Sequence, residues 1–276
     1  MDVALTTVYH DPHGRLYEQI VRVLPRLIDL FGGLVVQASA GAYPRSLGHL
    51  ANAGVLVGQE PIREPPSRIG LVRRNSIDLA LKLNRPFSLY CDIDRALHWA
   101  EHYPQELAEV AQRISDHDFT VLGRTPRAFD THPRIQRDTE RIINHVFEMV
   151  SGYAWDVGAG ARGLSRRAAE AILAKCPDEE ISTDVSWPLF LQRNGDSSQG
   201  YIETEGLEFE TADRYGDEVA RAGGLAQWLD QLDADPQQWA QRLDLARIEV
   251  EAMIPYVQPG TNRPIDPLLQ RVPPIL

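Results

Sequence analysis

Two carboxylates one residue apart close the apolar run Phe87-Ser88-Leu89-Tyr90-Cys91. They are Asp92 and Asp94, with Arg95 directly behind them and the helix-like residues Ala96 to Ala100 beyond. On a strand, residues i and i+2 point the same way, so both acids would face one point in space if the strand persists that far. Two hard oxygen ligands so placed suit Mg²⁺ or Mn²⁺ carrying a diphosphate. The same pattern also serves as turn chemistry and a helix N-cap. Further on, Asp184 stands between polar residues and Trp187, after the acidic run Asp178-Glu179-Glu180. It reads either as a helix cap or as a base awaiting an acceptor hydroxyl. Gly158, Gly160 and Gly163 have the G-x-G-x-x-G spacing ahead of a helix over 165–176, a pattern that can cradle an anion, although no β-branched strand precedes them.

The elements that must hold these residues alternate. Val3 to Tyr9 reads as a buried first strand, and His10-Asp11-Pro12-His13-Gly14 as the turn leaving it. Apolar residues at helical spacing from about Arg15 to Phe31 predict a helix, ended by Gly32-Gly33. Strands follow over 34–38 and 53–58, then a Pro-rich loop, a helix over 71–83, and the strand that ends at the acidic pair. Strands alternating with helices imply a mostly parallel sheet, whose ligands collect at the carboxyl ends of its strands. Beyond a helix over 104–114, Phe119 to Gly123 supplies another strand, and Thr131 is placed to cap a helix carrying Ile135, Ile142, Ile143, Val146 and Phe147. Tyr201 to Glu205 and Leu207 to Thr211 resemble a solvent-facing hairpin. The segment 213–276 reads as a helical C-terminal extension with a Pro-rich arm over 259–276, set off from a domain over 1–212. Its apolar stripe can cover the core or form a homodimer.

Composition narrows the function. The chain has 276 residues, a formal net charge of −11 and 43% hydrophobic residues, enough to bury a substantial core. That acidity argues against a nucleic-acid binder, which would show a basic face. Cys91 and Cys176 have no metal-ligand spacing and suggest no disulfide framework. With no signal-peptide pattern and no long apolar stretch, the expectation is a protein of the cytoplasm with no transmembrane segment.

The order of a first strand with Thr7 and Tyr9, the segment Gly70-Leu71-Val72-Arg73-Arg74-Asn75, the Asp92-x-Asp94 strand end, a Gly-rich segment and a later Asp resembles GT-A glycosyltransferases of the family 2 type. The likeness spans roughly residues 3 to 195. It implies a GT-A-like α/β sheet and a metal-dependent, inverting transfer of sugar from a nucleotide-diphosphate sugar to a hydroxyl acceptor. Carried over, Thr7, Tyr9 and Asp11 would contact the base and ribose, and Arg73 or Arg74 the nucleotide. Asp92 and Asp94 would hold the Mg²⁺ or Mn²⁺ and the ribose-diphosphate. Trp155, Asp156, Gly158 and Trp187 would face the acceptor, and Asp184 would be the base. Arg124, Arg127 and Arg162 are further candidates for a phosphate. The sequence departs from the family at two points: the second strand ends in Gln37-Ala38-Ser39 rather than in acids, and Thr183 stands where Glu usually precedes the base. Two other readings remain, a non-catalytic nucleotide-sugar-binding protein and a sugar-phosphate nucleotidyltransferase. The latter would show a Gly-rich, basic loop where this chain has Tyr9-His10-Asp11-Pro12.

Overall fold

A computed structural model describes residues 2–64 and 68–257, so the expected Pro-rich arm over 259–276 lies outside the described residues. The first half alternates as the hydrophobic pattern requires. It runs β1 (Val3–Tyr9), α1 (Tyr17–Leu30), β2 (Leu34–Ala38), α2 (Pro44–Asn52), β3 (Leu56–Gln59), α3 (Ile69–Leu81), β4 (Phe87–Tyr90) and α4 (Ile93–His102). Then come α5 (Pro104–Arg113), β5 (Phe119–Arg124), α6 (Pro126–Asp130), α7 (Arg134–Ser151), β6 (Ala161–Ser165), α8 (Arg166–Lys175), α9 (Thr183–Asn194) and β7 (Gln199–Thr204). Four helices close the described chain: α10 (Thr211–Arg214), α11 (Gly216–Ala222), α12 (Leu225–Asp233) and α13 (Pro236–Met253).

The strands form one sheet in the order β3-β2-β1-β4-β6-β5-β7. All pairings are parallel except those of β6, which runs against both β4 and β5. Helices cover both faces. Alternation along β1 sends Val3, Leu5 and Tyr9 into a core shared with Ile20, Leu24, Leu97 and Trp99, and Val8 into one shared with Ile77, Phe147 and Trp187. Burying each such side chain stabilises the fold by about 1.5–3 kcal/mol. Ala246 and Met253 of α13 join the second core, while Leu243 of the expected apolar stripe stays exposed. No helix among the described residues is long and apolar enough to cross a membrane.

Several local expectations are corrected. The glycine segment is followed by the expected helix, α8, but it reaches it as a strand and not as a loop around the helix N-terminus. Gly163 lies inside β6, where a side chain would strike Ile114, and Ser165 caps α8 through Ala168 N. The residues after Thr204 form no hairpin: Gly206 turns the chain tightly against the Trp99 indole, and Leu207 and Phe209 then enter the interior. Thr131 does not cap α7. Asp233 at the end of α12 does so from a distance in sequence, accepting from Arg134 N at 3.0 Å and Ile135 N at 2.9 Å. Arg124 and Arg127 are already ion-paired, with Glu140 and Asp156 and with Glu205 and Glu208 respectively.

Candidate functional site

The strand before the acidic pair is shorter than expected. β4 ends at Tyr90, Asp92 takes the N-cap position of α4, and Asp94 falls in its first turn. The pair therefore straddles a helix start rather than sharing a strand face, at the positive end of the helix dipole. Asp92 does not cap that helix with its side chain. Its Oδ1 accepts from Tyr90 Oη at 3.1 Å, and the residue lines a cavity of about 150 Å³.

Three successive residues of α3 explain how this cavity is charged. Helical residues turn by about 100° each, so Arg73, Arg74 and Asn75 face three ways. Arg73 reaches the cavity and pairs with Asp184 Oδ2 at 3.0 Å. Arg74 donates to the carbonyls of Ile172 and Leu173 near the end of α8. Asn75 donates to Glu60 Oε1 at 2.7 Å. The approach of α3 to α9 depends on Gly70, since a side chain there would overlap the backbone of Glu179 and Glu180. Asp184, in the first turn of α9, also meets Arg162 at 3.3 Å. Burial pulls the Arg162 guanidinium below its ordinary pKa, Asp184 opposes that, and Arg73 adds to it.

A second guanidinium arrives from α4. A Cβ on Gly160, whose φ is +67°, would lie 3.3 Å from Arg95 Nη1 and 3.7 Å from Arg73 Nη2, so the two arginines converge over a glycine. Arg95 Nη1 and Arg73 Nε are buried with no hydrogen-bond partner among the described residues. Facing them is Glu210, paired through Oε1 with Arg95 Nε at 3.3 Å and leaving Oε2 buried without a partner. Burial, Glu210 and Asp92 together push the Asp94 carboxyl up to about 7, against the pull of Arg95 and Arg214. Among the described residues the ligand oxygens of Asp92, Asp94 and Glu210 do not gather at one point, so a hard divalent cation, whose charge would relieve the repulsion on Asp94, would have to draw them together. The roof comes from α7 and α13: His132, just before α7, is held neutral by burial and by Arg124 and Arg95. Glu249 of α13 is pushed well above the ordinary carboxyl range by burial and then by Asp184 and Glu140.

Beside this cavity, a groove of about 470 Å³ opens at the carboxyl ends of β1 to β3, lined by His10, Ser39, Glu60, Pro61 and Val72. Glu60, one residue past β3, accepts from Gln37 Nε2 at 2.8 Å. A carboxylate thus stands beside the second strand, although that strand ends without one of its own. Val72 lines the groove and Arg73 the cavity, so α3 borders both.

Of the residues expected from the sequence, the cavity gathers Arg73, Asp92, Gly158 and Asp184, with Asp94 alongside. The others lie elsewhere. Thr7 donates to the carbonyl of Val35 within the sheet, and Asp11 accepts from Leu16 N at 2.9 Å, holding the turn after β1. Tyr9 is buried, and burial is the main reason its hydroxyl pKa rises to about 12. Trp187 is a core side chain against the edge of Tyr90. Trp155 is stacked between Tyr153 and Tyr201 beside a separate groove. There burial, the largest single influence, raises the Asp156 carboxyl, but the charge of Arg124 together with hydrogen bonds from Arg124 and Asn144 brings it down to about 2. The sequence reading missed Glu60, Arg95, Glu210, Arg242 and Glu249. Only Arg95 and Glu60 carried a signal, the first adjoining Asp94 and the second ending a predicted strand–loop junction.

No family model and no curated protein matches the chain. Solved structures do. Glucosyl-3-phosphoglycerate synthase from Mycobacterium tuberculosis in complex with phosphoglyceric acid superposes with a TM-score of 0.50 at 13% identity, over 73% of this chain and 69% of that one. The same enzyme in complex with Mn²⁺, uridine diphosphate and phosphoglyceric acid matches at a TM-score of 0.47 and 14% identity, over 82% and 78%. At this identity the likeness establishes the fold: the α/β sheet with its C-terminal helices is GT-A-like.

Proposed function

We propose that the chain is a glycosyltransferase that moves a sugar from a nucleotide-diphosphate sugar to a hydroxyl acceptor, with Mg²⁺ or Mn²⁺ held by Asp92 and Asp94. The observation that carries this reading is the convergence of Arg73 and Arg95 over Gly160, their unpartnered nitrogens beside three crowded carboxylates. Each guanidinium already has one carboxylate partner and keeps one buried nitrogen without any, and a diphosphate bridged to a divalent ion would take those spare donors. The groove at His10, Ser39 and Glu60 would take the nucleoside. The neighbouring mycobacterial enzyme, crystallised with Mn²⁺ and uridine diphosphate, is consistent with that choice of ligands.

When bound, the cation would neutralise the diphosphate that departs with the nucleoside. Arg73 and Arg95 would hold the same phosphates from the protein side. Asp184 faces the cavity with Oδ2 on Arg73 and Oδ1 on Arg162, and each carboxylate oxygen keeps a lone pair for an acceptor hydroxyl. In this proposal it receives the hydroxyl's proton as the oxygen attacks the anomeric carbon from the face opposite the diphosphate, which inverts the centre. Gly158 lines the cavity with the Glu140 side chain packed against it, so an acceptor would approach beside Glu140.

One observation favours a second reading, a nucleotide-sugar-binding protein without turnover. Both oxygens of Asp184, the base in the first reading, are engaged by the buried guanidiniums of Arg73 and Arg162, a structural ion-pair arrangement that serves binding without turnover. Calorimetry with a series of nucleoside diphosphates, with and without Mn²⁺, combined with a donor-hydrolysis assay, separates the two. The transferase reading expects cation-dependent binding and slow release of nucleoside diphosphate from one donor. Binding with no release under any acceptor supports the second reading, and no cation-dependent binding at all defeats both.

A further inference from the structure

A side-chain cluster outside the proposed donor site has the makings of a different metal centre. We infer that His98, His102 and Asp213 form a nitrogen-rich site for Zn²⁺ or a similar borderline cation, which staples α10 to α4. His98 and His102 are four residues apart on α4, so their rings share one face of the helix, with centroids 4.4 Å apart. Asp213 of α10 closes the third side, its Oδ2 lying 2.8 Å from His98 Nδ1. One ligand atom from each of the three lies within 4.8 Å of the others. Metal–ligand bonds of about 2 Å at tetrahedral angles place ligand atoms about 3.3 Å apart, a contraction that small side-chain rotations supply.

The surroundings are built for a ligand histidine. His98 Nε2 lies 3.2 Å from Glu208 Oε1, and Glu208 is itself held by Tyr103 Oη at 3.0 Å and by Arg127. Without a metal, carboxylates on both ring nitrogens favour the charged imidazolium; a cation at Nδ1 would take the place of that proton, and Glu208 would keep the one on Nε2, as the outer shell of a metal-bound imidazole does. Gln19 Nε2, 3.0 Å from Asp213 Oδ2, steadies the carboxylate. His98 is buried, whereas His102 and Asp213 are exposed, so water can fill the remaining position and the ion has a path in. His102 makes no hydrogen bond among the described residues. Two imidazoles and one carboxylate select Zn²⁺, Co²⁺ or Ni²⁺ over Mg²⁺ and Mn²⁺, which sets this site apart from the carboxylate pair at Asp92 and Asp94. Arg214 follows Asp213 on α10 and reaches Asp11 at 3.7 Å and Asp94 at 4.0 Å. An ion that fixes Asp213 therefore fixes the cation standing beside Asp94.

The test uses the full chain without a histidine tag, stripped with chelator and titrated with Co²⁺ and then Zn²⁺. The expected result is about one equivalent of Co²⁺ with tetrahedral d–d absorption, bleached by Zn²⁺. His102→Ala, an exposed position whose loss leaves the fold intact, should weaken Zn²⁺ binding by at least about tenfold, and Asp213→Asn should weaken it likewise. Saturating Mg²⁺ is kept in the titration to occupy any carboxylate site, so that the tetrahedral Co²⁺ signal reports the histidine site alone. Absence of saturable Co²⁺ or Zn²⁺ binding in the wild type, or unaltered affinity in His102→Ala, overturns the assignment.

Discussion

Replacing Asp94 by Asn should make the metal-free protein more stable, and only above mildly acidic pH. In the folded chain its carboxyl is pushed up to about 7 by burial, Glu210 and Asp92, against an ordinary value of 3.8. Below pH 4 both folded and unfolded chains hold the proton, and the residue adds no pH dependence. Between about 4 and 7 the unfolded chain releases the proton while the folded chain keeps it, so stability falls as pH rises and levels off above the folded value. The difference of about three pH units corresponds to about 4 kcal/mol as a ceiling. A fifth of the side chain remains exposed, and hydration of the ionised form reduces the expected cost to about 2 kcal/mol. Asn has the shape of the protonated acid, and its Oδ1 can still accept from Arg95 N. Urea unfolding in EDTA should therefore give variant and wild type within about 1 kcal/mol at pH 4.5, and the variant ahead by about 2 kcal/mol at pH 8. Added Mn²⁺ should raise the wild type alone, because an ion bound to the folded state stabilises it by mass action. A gap that does not change with pH, or a variant less stable at pH 8 than the wild type, refutes the crowded-carboxylate picture.

Arg73→Ala leaves Asp184 buried with only Arg162, and should destabilise the fold by about 3 kcal/mol in urea unfolding, the low end for a broken buried pair. A loss under 1 kcal/mol would mean that the pair is solvated or replaceable. Glu249→Gln should behave as a second pH-dependent stabiliser. Its carboxyl lies well above the ordinary range, so the wild type loses stability as pH climbs through that window, and the Gln variant does not. Equal pH profiles for the two proteins would show that Glu249 is ionised in the folded state.

The first strands were legible because β1 and β2 are rich in β-branched residues and bounded by clear turn residues, and they fall where Val3 to Tyr9 and Leu34 to Ala38 predict. β6 was not. Its sequence Ala161-Arg162-Gly163-Leu164-Ser165 has no β-branched residue, and it becomes a strand because β4 and β5 leave an antiparallel slot between them. The acidic pair was found from its spacing, but its geometry depends on where β4 stops, and a strand boundary is fixed by the helix that follows rather than by the strand itself.

The remaining acids and cations of the site come from segments that carry no local signal. Glu210 lies after a turn made possible by the fit of Gly206 against Trp99, and Arg242 and Glu249 sit on a helix whose pattern shows only an apolar stripe. Charged residues on such a stripe's flank look like solvated surface until the partner helix is known. Here the partners are α7 and α9, and packing α13 against them turns Glu249 toward Asp184 and Glu140 and removes it from water. The segment that reads as an extension thus supplies the roof of the cavity, and the charge state of Glu249 becomes a direct report on whether that roof is closed: opening α13 rehydrates the carboxyl and restores its ordinary acidity. Titrating Glu249 in the presence and absence of a nucleoside diphosphate therefore separates two modes of entry: displacement of α13 rehydrates the carboxyl and lowers its pKa, whereas a diphosphate bound beneath a closed α13 repels the carboxylate and raises it further.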